Sequence, residues 1–327
     1  MIYSLARVLS CGRAALVWLA VLLLQPRAFA APVEALCARG GMVVSACPLA
    51  STIGARILRD GGNAVDAAVA VGFALAVTFP GAGNIGGGGF MLIRLSDGES
   101  VCIDYRERAP AGASRDMYLD DGGEVISDLS TIGHLSAGVP GTVAGLYLAH
   151  GRYGTLPWKD LLQPAIDLAR NGFPVSRELA LSFERLLPHL GTYPGLSVFV
   201  GEDGSCREPG DLLVQADLAR TLERIAFGGA EEFYEGETAE LLRLEMERGG
   251  GLIDRDDLSD YEAVVREPVR GSYRGYEILS MPPPSSGGIV LLEILNIAEG
   301  FPLSEYGFLS DEAVHVVVEA EKRAYRD

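Results

Sequence analysis

A helix without a polar face is stable only where other structure covers it on every side, and residues 64–77 encode such a helix. Asp66 is the one charged side chain in the segment. It stands three residues after Asn63, so Asn63 is the expected N-cap and the Asp66 carboxylate lies where the helix dipole favours it. The segment falls short of the roughly 20 residues that a bilayer span requires, which places it at the centre of a layered globular domain. Apolar residues make up 48% of the 327-residue chain and charged ones 22%, enough for the layers this helix needs.

Around it, residues 42–45 read as a short buried strand, and Pro48-Leu49-Ala50-Ser51 turns into a helix that Asp60-Gly61-Gly62 stops. Gly86, Gly87, Gly88 and Gly89 precede a strand, whereas phosphate-binding glycine loops follow a strand and open a helix. These glycines are therefore expected to permit positive φ or close backbone packing, ahead of any ligand contact. Asp97-Gly98 predicts a hairpin between strands at 90–95 and 100–105. Apolar spacing predicts helices at 161–170 and 212–226. Residues 231–260 hold eleven acidic and three basic side chains, read as solvated helix faces. Strands are expected at 264–269 and 273–279, then Pro282-Pro283-Pro284 and an apolar helix through Leu295 capped by Ser285 or Ser286. Ser310 opens a final helix whose Val314, Val317, Val318, Glu321, Ala324 and Tyr325 form a mostly apolar stripe. Hairpins covered by apolar helices make the fold class α/β in the layered sense.

With 27 basic and 44 acidic side chains the formal charge is −17, which argues against broad nucleic-acid binding. His134, His150, His189 and His315 are dispersed, so neither a metal nor a cofactor is expected. Arg7 and Arg13 precede an apolar run at 14–24, and Ala28-Phe29-Ala30 offers a small-x-small cleavage site. Residues 1–30 thus read as a signal peptide, with 31–327 as the mature region, periplasmic or secreted and without a stable membrane span. Cys37, Cys47, Cys102 and Cys206 allow three full pairings, but buried free thiols are the simpler reading.

Several stretches combine into a larger pattern. Gly41-Met42-Val43-Val44-Ser45 with Pro48-Leu49-Ala50, Gly61-Gly62-Asn63-Ala64-Val65-Asp66-Ala67-Ala68, Gly86-Gly87-Gly88-Gly89-Phe90-Met91 and Arg106-Glu107 with Ala109-Pro110 closely resemble the γ-glutamyltransferase (glutathione hydrolase) family. Gly138-Val139-Pro140-Gly141-Thr142, Gly154-Thr155-Leu156-Pro157-Trp158 and Met281-Pro282-Pro283-Pro284-Ser285-Ser286-Gly287-Gly288 extend the match, which runs over residues 40–327. The resemblance implies an N-terminal-nucleophile hydrolase, a four-layer αββα sandwich that is incomplete in this chain. It also implies an exported precursor cut into a large and a small subunit, the small one led by a threonine that attacks γ-glutamyl amides such as glutathione.

On that resemblance the nucleophile belongs to a Gly-Thr-Thr-His-like stretch beyond the equivalent of residue 327, so these residues are the large-subunit region. No catalytic residue is assigned among them, the small subunit is the expected partner, and the chain alone is expected to be inactive. Cys47 stands where relatives usually carry histidine. One substrate contact does fall inside: Arg106, which in relatives holds the α-carboxylate of the glutamyl group. A guanidinium at the end of strand 100–105 suits that role, since it donates two parallel hydrogen bonds and stays charged. From the residues alone Arg108 competes and a surface arginine or ion pair is the simpler reading; the motif selects Arg106. The alternatives are a non-catalytic carboxylate-binding scaffold and half of a related cephalosporin or glutaryl acylase.

Overall fold

The structure, a computed structural model, describes residues 37–190, 194–201 and 204–326. The expected leader at 1–30 lies outside the described residues.

Helix α1 (Pro48–Arg59) ends where Gly61 takes φ 98°, and α2 (Ala64–Thr78) follows at once. The cap of α2 is reciprocal. Asn63 Oδ1 accepts from the N–H groups of Val65 (2.8 Å) and Asp66 (3.0 Å), while the Asn63 N–H donates to Asp66 Oδ2 (2.9 Å). Val69, Ala70, Phe73, Ala74 and Val77 are all fully buried, so most of the helix is covered; one stripe, from the exposed Ala64 and Ala68 to the half-buried Val71, Gly72 and Leu75, is not fully enclosed. Its neighbours are α1, α3 (Thr142–Tyr153) and α4 (Trp158–Asn171). Trp158 sits at this junction, edge-on to Phe73 and Tyr147, with its indole N–H donating to Ile225 O (3.0 Å).

Strands β1 (Phe90–Arg94) and β2 (Ser100–Asp104) form the Asp97-Gly98 hairpin, with Phe90 opposite Asp104 and Arg94 opposite Ser100. After β2 come α3 and α4, then β3 (Phe173–Pro174), α5 (Arg177–Leu190), β4 (Leu212–Leu213), α6 (Ala216–Glu235), α7 (Glu237–Gly249) and α8 (Arg255–Ser259). Only then does β5 (Val264–Arg266) pair antiparallel with β2, giving the order β1-β2-β5. Residues 212–226, expected as one helix, divide: Leu212 and Leu213 pair with Pro174 and Phe173, and the helix begins at Ala216. The acidic segment from 231 is helical, and Arg243 pairs with Glu240 and Glu247 along one face of α7.

The expected strand at 264–269 also divides, because Pro268 has no N–H to continue a ladder. Past it, β6 (Val269–Tyr273) and β7 (Tyr276–Ser280) form a hairpin whose Arg274 and Gly275 take φ 49° and 84°. Helix α9 (Gly287–Glu299) packs on this hairpin and on α11 (Asp311–Ala324), with α10 (Leu303–Tyr306) between them. The side chain of Ser286 makes no capping bond; Ser285 Oγ instead accepts from the Gly287 N–H (3.3 Å). Ser310 does cap α11, accepting from Ala313 N–H (3.1 Å).

One expectation fails on burial. Residues 42–45 form no strand among the described residues: Val43 turns inward against Gly54 of α1 and Ser45 is half-buried with its Oγ on Ser51 Oγ (2.8 Å), while Met42 is exposed and Val44 is 83% exposed. The stripe of α11 does not face the main core. Val314, Val317 and Val318 line an open apolar cleft of about 510 Å³ with Leu303 and Phe308, and Phe308 is 95% exposed. The main core stops at Tyr261 in sequence, leaving β6 to α11 as a layer with one face open.

Candidate functional site

The site begins where β2 runs out. Beyond Asp104 the chain continues as Tyr105-Arg106-Glu107, laid against the glycine loop: the Tyr105 N–H donates to Gly89 O (3.0 Å) and the Gly89 N–H to Tyr105 O (3.2 Å). A methyl group on Gly88 would strike Tyr105 O and sit 2.8 Å from Glu107 N. None of Gly86, Gly87, Gly88 and Gly89 takes positive φ; close packing accounts for Gly88 and for Gly89, which lies against the Tyr105 ring, whereas a side chain at Gly86 would meet open space. The Gly87 carbonyl accepts from the N–H groups of Gly141 (2.7 Å) and Thr142 (3.0 Å), satisfying donors at the start of α3.

Both polar groups of the Arg106 backbone are held by side chains. Its N–H donates to Asp104 Oδ1 (3.1 Å), and its carbonyl accepts from the Tyr261 hydroxyl (2.7 Å). The Arg106 side chain is exposed and, among the described residues, makes no hydrogen bond or ion pair. It borders a cleft of about 280 Å³ shared with Arg108, Glu262, Arg266 and Pro284.

The other two guanidinium groups of this cleft are already engaged. Arg266 Nε donates to Asp104 Oδ2 (2.8 Å), a carboxylate that is 6% exposed. Arg108 donates to Glu262 O (2.8 Å) and lies over the Tyr261 ring, 5.1 Å from its centroid. Tyr261 stacks in turn on Tyr234 at 5.6 Å. Burial pushes the phenols of Tyr105 and Tyr261 up to about 12 and that of Tyr234 higher still, so all three remain hydroxyl donors at neutral pH. Of the two candidates in the motif, the geometry leaves Arg106 available and commits Arg108. The strand that carries Arg106 ends at Asp104, two residues before it.

Among the described residues no group of three or more His, Cys, Asp or Glu is placed to hold a metal ion, and no helix is long and apolar enough to cross a membrane. Cys37, Cys47, Cys102 and Cys206 are free thiols. Cys47 precedes α1, where its N–H donates to Ser45 Oγ (3.4 Å), and it lies outside the Arg106 cleft. Asp104, Arg266 and Tyr261 carry no sequence motif that points to the cleft; β5 and its approach bring the last two there.

An exposed, uncommitted guanidinium beside a cleft, in a mixed helix-and-sheet fold, has the donor geometry to take up a carboxylate. A family model for Gamma-glutamyltranspeptidase matches residues 50–327, and the chain belongs to that family. It is 51% identical over 294 residues to a glutathione hydrolase proenzyme of Escherichia coli, a match covering 89% of this chain and 50% of that protein. It is 45% identical over 293 residues to an acylase ACY 1 proenzyme of a Pseudomonas strain, covering 88% and 52%. The crystal structure of Helicobacter pylori gamma-glutamyltranspeptidase superposes with a TM-score of 0.87 at 46% identity, covering 89% of this chain and 84% of that one. The chain spans about half the length of the curated relatives it matches.

Proposed function

We propose that this chain is the large-subunit part of an exported γ-glutamyltransferase or glutathione hydrolase, and that Arg106 grips the α-carboxylate of the γ-glutamyl group. The observation that carries the reading is the uncommitted Arg106 guanidinium beside two arginines that are already engaged. The coverage pattern supports it as well, since the match takes in 84% of the solved Helicobacter chain but only half of the proenzyme sequence. The partner is a small subunit whose N-terminal threonine attacks the γ-glutamyl amide, its own α-amine acting as general base. The acyl group then passes to water, an amino acid or a peptide, and glutathione is the leading substrate. Arg106 contributes by fixing the glutamyl end so that the amide carbon meets the nucleophile in a reactive geometry. The leader at 1–30 would direct this work outside the cytoplasm.

The test supplies the mature chain with a threonine-led half from this family and follows hydrolysis of a γ-glutamyl anilide. The chain alone is expected to release no glutamate. Arg106→Ala in the assembled pair is expected to raise KM about 100-fold, the loss of two charge-assisted hydrogen bonds. Enzymatic release of glutamate by the chain alone, or an unchanged KM in the variant, refutes the reading. Similarity to the ACY 1 acylase favours a second reading, half of a glutaryl or cephalosporin acylase. It predicts faster turnover of glutaryl-cephalosporin than of the γ-glutamyl anilide by the same assembled pair.

A further inference from the structure

We infer that Tyr261 is a positioning residue for Arg106, fixing the guanidinium through the Arg106 backbone so that the cleft discriminates ligands by their α-carboxylate. The inference rests on the proposed role of Arg106 and adds the group that makes that role specific. Arg106 lies beyond the last residue of β2, where no ladder partner fixes its carbonyl. The Tyr261 hydroxyl takes the place of that partner at 2.7 Å, from a residue 155 positions later. Tyr261 itself has little freedom: it is buried, its ring stacks on Tyr234, and the Arg108 guanidinium lies over it. Its phenol stays protonated at working pH and can only donate to that carbonyl while the bond persists. A long arginine side chain transmits any shift of its own peptide to its tip. Two parallel hydrogen bonds to a carboxylate tolerate little such movement. The same stack keeps Arg108 on Glu262 O and out of competition for the ligand.

The experiment titrates the mature chain with L-glutamate and with isoglutamine, its α-amide, by ligand-observed NMR, alongside thermal melts. Wild type is expected to bind glutamate at least tenfold more tightly than isoglutamine, and Arg106→Ala to abolish that ratio. Tyr261→Phe keeps the ring stack and removes only the hydroxyl; it is expected to lower the ratio by about tenfold while remaining folded. Tyr234→Phe is the control, since its hydroxyl donates to Pro140 O (2.8 Å) and does not touch Arg106. It is expected to lower the melting temperature and leave the ratio intact. A Tyr261→Phe chain with the wild-type ratio overturns the inference while leaving the Arg106 reading standing, as does a Tyr234→Phe chain that loses the ratio equally. Wild type that binds neither ligand, or both alike, overturns the Arg106 reading and the inference with it.

Discussion

Asp66→Asn is a substitution of equal size whose cost follows from the hydrogen bonds that converge on one fully buried carboxylate. Asp66 Oδ1 accepts from the N–H groups of Thr155 (2.9 Å) and Leu156 (3.4 Å); Oδ2 accepts from Asn63 N–H (2.9 Å) and Thr155 Oγ1 (2.6 Å). The side chain thereby closes the cap of α2 and ties it to the turn before α4. At the Oδ1 position an amide NH2 meets the N–H groups of Thr155 and Leu156; at the Oδ2 position it meets the Asn63 N–H, while the Thr155 hydroxyl can turn to accept. At least one donor is left unsatisfied at about 1–3 kcal/mol and the remaining bonds lose their charge assistance, so the expected loss is roughly 2–4 kcal/mol, a fall of about 10 °C in melting temperature. Burial alone would raise the Asp66 pKa, but the hydrogen bonds from Thr155, Asn63 and Leu156 outweigh it and hold the carboxyl below its ordinary value. Because the folded pKa is depressed, the stabilisation is fully present above the unfolded-state value near 4 and is lost as pH falls through the folded one. The gap between wild type and Asp66→Asn, measured by circular dichroism melts, is therefore widest at pH 7 and narrows below about pH 4. A gap that stays constant from pH 7 to pH 3, or one under about 0.5 kcal/mol at pH 7, refutes the reasoning.

Two further predictions concern packing. Gly141→Ala and Gly145→Ala would drive a methyl group into Tyr261 Oη with Tyr105 O, and into the Tyr105 ring, respectively, so each should cost about 3 kcal/mol or more and loosen the Arg106 cleft. Melts within about 0.5 kcal/mol of wild type would contradict this. The chain alone should bind an apolar dye and self-associate through the open face of α11. The double variant Phe308→Ser and Val317→Glu should reduce both, in dye titration and size-exclusion chromatography, with melting temperature nearly unchanged. Unaltered dye binding would place the sticky surface elsewhere.

What could be read from the chain depended on the range of the interaction. The Asn63 cap and the Asp97-Gly98 hairpin involve neighbours a few residues apart, and both form where expected; the structure adds the return bond from the Asn63 N–H to Asp66. Residues 42–45 mislead because four consecutive apolar or small side chains look the same whether alternate ones or all of them turn inward. Ser286 sits at the start of α9 with helical backbone angles in place of the extended ones of a capping residue, and its side chain makes no capping bond. Arg106 is visible only through its resemblance to a family motif, since composition and spacing rank it equal to Arg108. Tyr261 and Arg266 are not legible at all. Their positions follow from the register between β2 and β5, with Asp104 opposite Val264 and Cys102 opposite Arg266, and no local periodicity encodes a pairing over such a separation.

That register also sets a timetable. While the polypeptide is being synthesised, β1 and β2 can fold as a hairpin early, but the third strand is still about 160 codons from translation. The helices from α3 to α8 emerge in the interval and must find their places beside a sheet edge that stays bare, so closing this loop is the slow, non-local event in folding. The cleft is thus a late product of assembly, and a nascent chain stalled before residue 261 would hold its arginine without the means to aim it.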